Sequence, residues 1–176
     1  MNLLYPRKYM TSTYHIDFKA LYEEGYRGVL FDIDNTLVPH GLAADERALK
    51  LMNHLKALGY NICFISNNGR ERVEMFNKDI HANYIYKAHK PSVKNYQKAM
   101  ELMHTDTSNT LFVGDQIFTD VLGANRAGIY SILVQPIHPK EEIQIVLKRY
   151  LEKIVLFFYK RKRRKEEKEN EYKWKY

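Results

Sequence analysis

Apolar and polar positions along the chain follow two periods. Short apolar runs closed by Gly, Asn, Asp or Pro read as buried strands, at about Gly28 to Asp32, Asn61 to Ser66, Tyr84 to Tyr86, Thr110 to Gly114 and Tyr130 to Val134. Between them apolar residues recur three and four apart, the spacing of one helical face. Asp17 to Glu24 predicts a short helix with Phe18, Leu21 and Tyr22 on one side and Gly25 as its stop. Asp45 to Leu58 predicts a longer one, with Ala48, Leu51, Met52, Leu55 and Leu58 inward and Gly59 at its end. Arg70 to Lys78, Ser92 to His104 with Ser92 as cap, and Thr119 to Ala127 before Gly128 are the next helices. Residues 1–16 follow neither period and predict an irregular arm on the domain. Strands alternating with helices predict an α/β fold, a parallel sheet with helices on both faces.

Beyond Pro136 and Pro139 the pattern changes. Glu141 to Tyr159 predicts a long helix with Ile143, Leu147, Tyr150, Leu151, Ile154 and Phe158 on an apolar side that packs on the sheet, fraying into a charged end. The organisation expected is a catalytic domain over 1–140, arm included, and a helix with a basic tail over 141–176. A net charge of +7 sits unevenly: residues 160–176 hold nine Lys or Arg against four Glu. The body is therefore near neutral, and the basic signal belongs to the tail. Ile154 to Tyr159 runs straight into six consecutive cations, Lys160 to Lys165. Apolar residues beside such a block suit peripheral contact with an anionic membrane through 154–165; a nucleic-acid backbone reads the same charge, but no RNA-binding motif accompanies it.

One cysteine, Cys63, excludes an intramolecular disulfide, and its place between Ile62 and Phe64 reads as core. No apolar segment has the length of a signal peptide or a membrane span, so the expectation is a cytoplasmic protein, soluble or peripheral to a membrane. The seven histidines show no metal-ligand spacing; His89 stands out for adjoining Lys90.

The chemistry lies at the strand ends. The first strand runs into Asp32 and Asp34, two carboxylates whose closeness is costly unless a cation sits between them or one keeps a proton. Both conditions suit phosphoryl transfer, with Asp32 as nucleophile forming an aspartyl phosphate and Asp34 as general acid and base. Ser66 ends the second strand, where its hydroxyl and the backbone N–H of Asn67 can hold phosphate oxygens. Lys90 follows the third strand and can neutralise phosphate and carboxylate together. Asp115 ends the fourth, and with Asp120 it adds the oxygen ligands that Mg²⁺ requires.

Asp32-Ile33-Asp34-Asn35-Thr36, Ser66-Asn67-Asn68, Lys90-Pro91 and Gly114-Asp115-Gln116-Ile117-Phe118-Thr119-Asp120 resemble, in order, the four motifs of the haloacid dehalogenase (HAD) superfamily. The resemblance spans about residues 15 to 138. It implies a Rossmann-like sheet and a Mg²⁺-dependent hydrolase. By position it implies Asp32 as nucleophile and metal ligand, Asp34 as acid/base and metal ligand through its backbone carbonyl, and Asp115 as a metal ligand. Ser66, Asn67 and Lys90 would bind phosphate, while Thr36 supports the first loop and Asp120 the metal shell. Aspartate at position 34 matches the family's phosphatases. The short stretches 37–65 and 67–89 leave no room for a cap domain, so an open site is expected, suited to a bulky substrate.

Residues Asp32 to Pro39 and Gly114 to Gly128 further resemble the YqeG-type branch of HAD subfamily IIIA, which is similar to phosphatidylglycerophosphate phosphatases. That resemblance makes this phospholipid the leading substrate expected. A soluble phosphate monoester, and an interaction protein that binds RNA or the ribosome through its tail, are the alternatives.

Overall fold

The structure, a computed structural model, describes residues 2–138 and 143–173, with side chains described through 138 and from 150 to 167. Among the described residues six strands form one sheet: β1 (Lys8–Met10), β2 (Gly28–Phe31), β3 (Asn61–Ile65), β4 (Asn83–Ile85), β5 (Thr110–Gly114) and β6 (Tyr130–Val134). Their order is β1-β6-β5-β2-β3-β4, and every pairing is parallel. The helices are α1 (Phe18–Glu23), α2 (Glu46–Leu58), α3 (Arg70–Asn77), α4 (Lys94–Met103), α5 (Leu122–Arg126) and α6 (Ile143–Lys173).

Beyond Asn61 and Thr110 at their starts, β2, β3 and β5 carry no polar side chain, because both of their faces are covered. Val29, Phe31, Ile62, Phe64, Leu111 and Val113 point to one side, where they pack with residues of α1, α2 and α3. Leu30, Cys63, Ile65 and Phe112 point to the other, against Tyr96, Ala99, Met100 and Met103 of α4. Local sequence sets the helix ends. Asp45 accepts from the Ala48 N–H at 2.7 Å to start α2, and Gly59, at φ 96°, ends it.

β2 lies between β3 and β5. The chain moves outward on one side to β3 and β4, then crosses to β5 and β6 on the other. A cleft opens at the carboxyl ends of the strands where the order reverses, and there the chain leaves β2 at Asp32, β3 at Ser66 and β5 at Asp115. Nothing covers that cleft from within the motif spacings, since 37–65 adds only α2 and β3, and 67–89 only α3 and β4.

Three expectations change ahead of the last helix. The N-terminal arm is not irregular: Lys8–Met10 pairs in parallel with Ile132–Val134 as an edge strand. Its sequence has no alternation to betray it. The preceding chain is tied down by Asn125, whose amide donates to the carbonyls of Leu3 (2.8 Å) and Tyr5 (2.9 Å). Ser92 does not cap α4, which begins at Lys94 after Val93 with no side-chain cap. The helix expected over 119–127 opens instead as a wider π-type turn, Ile117–Val121, before α5.

The last helix also differs. It does not fray at Tyr159 but continues to Lys173. The side expected to pack is the exposed one. Glu152 and Tyr159 are buried and Val155 and Leu156 pack against Ile117, Val121 and Leu133, whereas Tyr150, Leu151, Ile154 and Phe158 face outward. Positions 141 and 142, the side chains of Ile143, Leu147 and Tyr172, and Trp174 and Tyr176 lie outside the described residues. No helix among those described is long and apolar enough to cross a membrane.

Candidate active site

Asp32 is the first residue beyond β2, its N–H still bonded to the Val113 carbonyl at 2.9 Å. The chain then turns sharply. The carbonyl of Ile33 accepts from the N–H groups of Thr36, Leu37 and Val38, and Asn35 adopts φ 61°, left-handed backbone that asparagine tolerates. Thr13 Oγ1 donates to the Thr36 carbonyl (2.8 Å) and Tyr14 Oη to that of Leu37 (2.5 Å). Thus the chain after β1 braces the loop that holds Asp32 and Asp34.

Three carboxyl groups converge: oxygens of Asp32, Asp115 and Asp120, all buried, lie within 4.8 Å of one another. Lys90 Nζ, also buried, donates to Asp32 Oδ1 at 2.6 Å and to Asp120 Oδ1 at 2.7 Å. Thr36 Oγ1 is 3.5 Å from Asp32 Oδ2 and 3.4 Å from Asp115 Oδ1, spanning the two acids. Gly114 is required by close approach, since a Cβ there would meet Asp120 Oδ2 at 2.5 Å. The absent side chain lets Asp120 fold back over the end of β5 and accept from the Gln116 N–H at 3.0 Å.

Electrostatics follow from this burial. Desolvation raises the Asp32 carboxyl, Lys90 opposes the rise and Asp120 adds to it, leaving a value of about 6. For Lys90 burial acts to lower the ammonium, but Asp120 and Asp32 outweigh it and hold it above the usual lysine range. Clustered carboxylates of which Lys90 bonds two are a donor set of hard oxygens with negative charge to spare. They fit a divalent cation.

Asp34 lies in the same cleft but outside that cluster. Its Oδ1 accepts from Arg72 Nη2 (2.8 Å), Arg72 Nε (3.2 Å) and the Gly41 N–H (2.8 Å), and its Oδ2 from Asn68 Nδ2 (2.6 Å). Arg72, on α3, is the contributor that sequence reading missed. It sits 38 residues from Asp34 in an ordinary charged helix, and no local signal marks it. Asn68 was legible only as a neighbour of Ser66.

The phosphate-side residues are present as well. Ser66 is buried, its Oγ accepting from the Asn68 N–H at 3.2 Å. Asn67 uses its side chain to clamp Lys90: Oδ1 accepts the Lys90 N–H at 2.7 Å and Nδ2 donates to the Lys90 carbonyl at 3.4 Å. What Asn67 offers a phosphate is therefore its backbone N–H rather than its amide. His89 takes φ 51° in the turn that delivers Lys90. Asp32, Asp34, Ser66, Asn67 and Lys90 line one cleft of about 200 Å³, joined by His40, Gln116 and Thr119. A larger groove of about 480 Å³ lies on α6, with no acidic residue in its lining. The smaller cleft has the convergent chemistry.

A further contact enters from outside the motifs. Glu152 of α6 is buried and accepts from the Ile117 N–H at 2.6 Å, two residues beyond Asp115. The loop bearing Asp115 and Asp120 is thereby fixed to the last helix.

A family model described as HAD-hydrolase-like matches residues 87–143. The probable phosphatase YqeG of Bacillus subtilis (strain 168) is 33% identical over 158 residues, covering 89% of this chain and 92% of that protein. The chloroplastic/mitochondrial phosphatidylglycerophosphate phosphatase 1 of Arabidopsis thaliana is 28% identical over 159 residues, 79% of this chain but 46% of that protein. This chain thus spans about half the length of that plant relative. Among solved structures, the cobalt-bound deoxy-D-mannose-octulosonate 8-phosphate phosphatase of Haemophilus influenzae aligns with a TM-score of 0.53 at 13% identity, over 63% of this chain and 69% of that one. That last likeness is one of fold.

Proposed function

This chain is a phosphatase of the HAD-like hydrolase family, and from that premise we propose that it hydrolyses phosphate monoesters through an aspartyl phosphate on Asp32, with phosphatidylglycerophosphate as its leading substrate. The observation that carries the reaction is the buried trio of Asp32, Asp115 and Asp120 around Lys90. The substrate rests on the named activity of the Arabidopsis relative and on the uncapped cleft, which admits a bulky group. A soluble phosphate monoester is the competing substrate.

An Asp32 carboxylate oxygen attacks phosphorus, and the bond from phosphorus to the leaving oxygen breaks. Asp34 delivers a proton to that oxygen. Water then attacks the aspartyl phosphate and passes its proton to Asp34, releasing inorganic phosphate and restoring the Asp32 carboxylate. Lys90 keeps its ammonium beside the attacking carboxylate throughout, and the Ser66 hydroxyl with the Asn67 N–H holds the transferred phosphoryl oxygens. Arg72, Asn68 and the Gly41 N–H aim the Asp34 carboxyl. A divalent cation, Mg²⁺ by its preference for oxygen donors, would be held by Asp32, Asp115 and the Asp34 carbonyl with Asp120 in support, where it lets like charges meet. Residues 1–140 form the catalytic unit in this reading and 141–176 a C-terminal helix and basic tail. The enzyme acts from the cytoplasm.

The test is phosphate release with Mg²⁺ from phosphatidylglycerophosphate in mixed micelles beside a panel of soluble monoesters, with Asp32→Asn as the blank. Turnover of the lipid well above every soluble ester supports the substrate. Turnover of soluble esters alone removes the lipid and leaves the chemistry. No turnover of either rejects the proposed reaction.

A further inference from the structure

Helix α6 meets the body through one face. Tyr159 packs edge-on against Tyr5 with ring centroids 5.7 Å apart, Val155 and Leu156 lie on Ile117, Val121 and Leu133, and Glu152 reaches the Ile117 N–H. The opposite face is apolar and bare: Tyr150 is 64% exposed, Leu151 52%, Ile154 56%, Phe157 61% and Phe158 52%. Spacings of three and four join these into one stripe. Arg161, Arg164 and Lys165 continue the stripe, and with Lys160 and Phe157 they line a groove of about 480 Å³. Lys162 and Arg163 both approach Glu166 at 3.7 Å, whereas Arg161, Arg164 and Lys165 make no ion pair among the described residues. The fold needs none of this stripe, because α6 is already anchored by its other side.

We propose that the outward face of α6 is a docking surface for an anionic phospholipid membrane. The composition of the stripe selects this occupant. Leu151, Ile154, Phe157 and Phe158 gain by entering the acyl boundary of a bilayer, Tyr150 suits the headgroup level, and the cations beyond them meet anionic headgroups. A nucleic acid would satisfy the cations and leave the aliphatic residues in water. A second copy of the chain would cover the apolar residues but bring its own block of six consecutive cations, Lys160 to Lys165, with it. Through Glu152 the docking helix also bonds the Ile117 N–H, so the segment that meets the membrane is tied to the loop that carries Asp115 and Asp120. The inference concerns the surface and holds whichever phosphate ester is hydrolysed.

The experiment is flotation of the full chain with vesicles of phosphatidylcholine alone or mixed with phosphatidylglycerol, at low and high salt. It contains no phosphatase substrate and is read without turnover. Wild type is expected to float with the anionic vesicles and at least about tenfold less with neutral ones. Phe157→Ser/Phe158→Ser and Arg161→Glu/Arg164→Glu are each expected to lower binding by about tenfold or more. Both should keep the thermal midpoint and the turnover of a soluble ester. Wild type that ignores anionic vesicles, or variants that float as well as wild type, would overturn the proposal. So would a wild-type dimer that the phenylalanine variant converts to monomer, or binding of single-stranded RNA lost in the arginine variant with vesicles unbound throughout.

Discussion

Lys90 Nζ lies 2.7 Å from Asp120 Oδ1, which makes Asp120 more than a distant support for the acidic loop. It shares the ammonium with Asp32, 2.6 Å away on the other side. Removing this buried cation leaves neighbouring carboxylates uncompensated. Lys90→Met is expected to lower stability by about 3 kcal/mol or more in metal-free buffer, the usual cost of breaking a buried pair from one side. Added Mg²⁺ should recover much of that loss. Urea unfolding with chelator and with Mg²⁺ measures both, and an unchanged midpoint in chelator would refute the electrostatic role.

Asp32 gives a pH signature of opposite sign. Its folded-state value, raised to about 6, means that ionisation opposes folding. The stabilising contribution of the protonated form is complete below about pH 4 and is lost as the pH rises to about 6. Asp32→Asn should therefore be more stable than wild type in chelator at pH 7, by up to about 3 kcal/mol, with the gap closing toward pH 4. Thermal midpoints of both proteins from pH 4 to 8 check it. A gap that widens on acidification would show the sign to be wrong.

Arg72 touches Asp34 through two N–H groups and stands outside the cluster of Asp32, Asp115 and Asp120. Arg72→Ala should lower kcat by about 10- to 100-fold, part of what a positioned acid/base contributes, with KM little changed. Arg72→Lys should restore only part of it, because an ammonium cannot reproduce the two-pronged contact. A rise in KM at constant kcat would move Arg72 from positioning Asp34 to holding substrate.

Glu152 should matter to the proposed metal site although it belongs to the last helix. Glu152→Ala strips the buried Ile117 N–H of its acceptor, at about 1–3 kcal/mol. With the loop loosened two residues from Asp115, the Mg²⁺ concentration for half-maximal activity should rise severalfold. Glu152→Gln keeps an acceptor and should fall between. Mg²⁺ titrations of the three proteins decide it, and identical curves would confine Glu152 to stability.

Burial pushes the Cys63 thiol up to about 12. In the native protein at pH 8 it should resist iodoacetamide and react once unfolded in urea. Native labelling at the rate of a free thiol would mean that β3 is not buried as described.

The sheet, its parallel sense and the convergence of Asp32, Ser66, Lys90 and Asp115 were all legible in the sequence. Each depends on short-range order: an apolar run buried on both faces, a glycine after a helix, a polar residue where a strand ends. The four motifs also carry their spacing with them, and the short stretches 37–65 and 67–89 leave no room for a cap between them. Three things were not legible, because each depends on what the rest of the chain leaves available. Lys8–Met10 becomes a strand only because the edge of β6 offers it hydrogen bonds. Arg72 becomes part of the site only because α3 packs where its guanidinium meets Asp34. Helix α6 has two candidate faces, and hydrophobicity favoured the wrong one. The face bearing Glu152 and Tyr159 packs inward because a backbone N–H at Ile117 and the ring of Tyr5 await it there. Periodicity tells which residues share a face; only the assembled surface decides which face finds a partner.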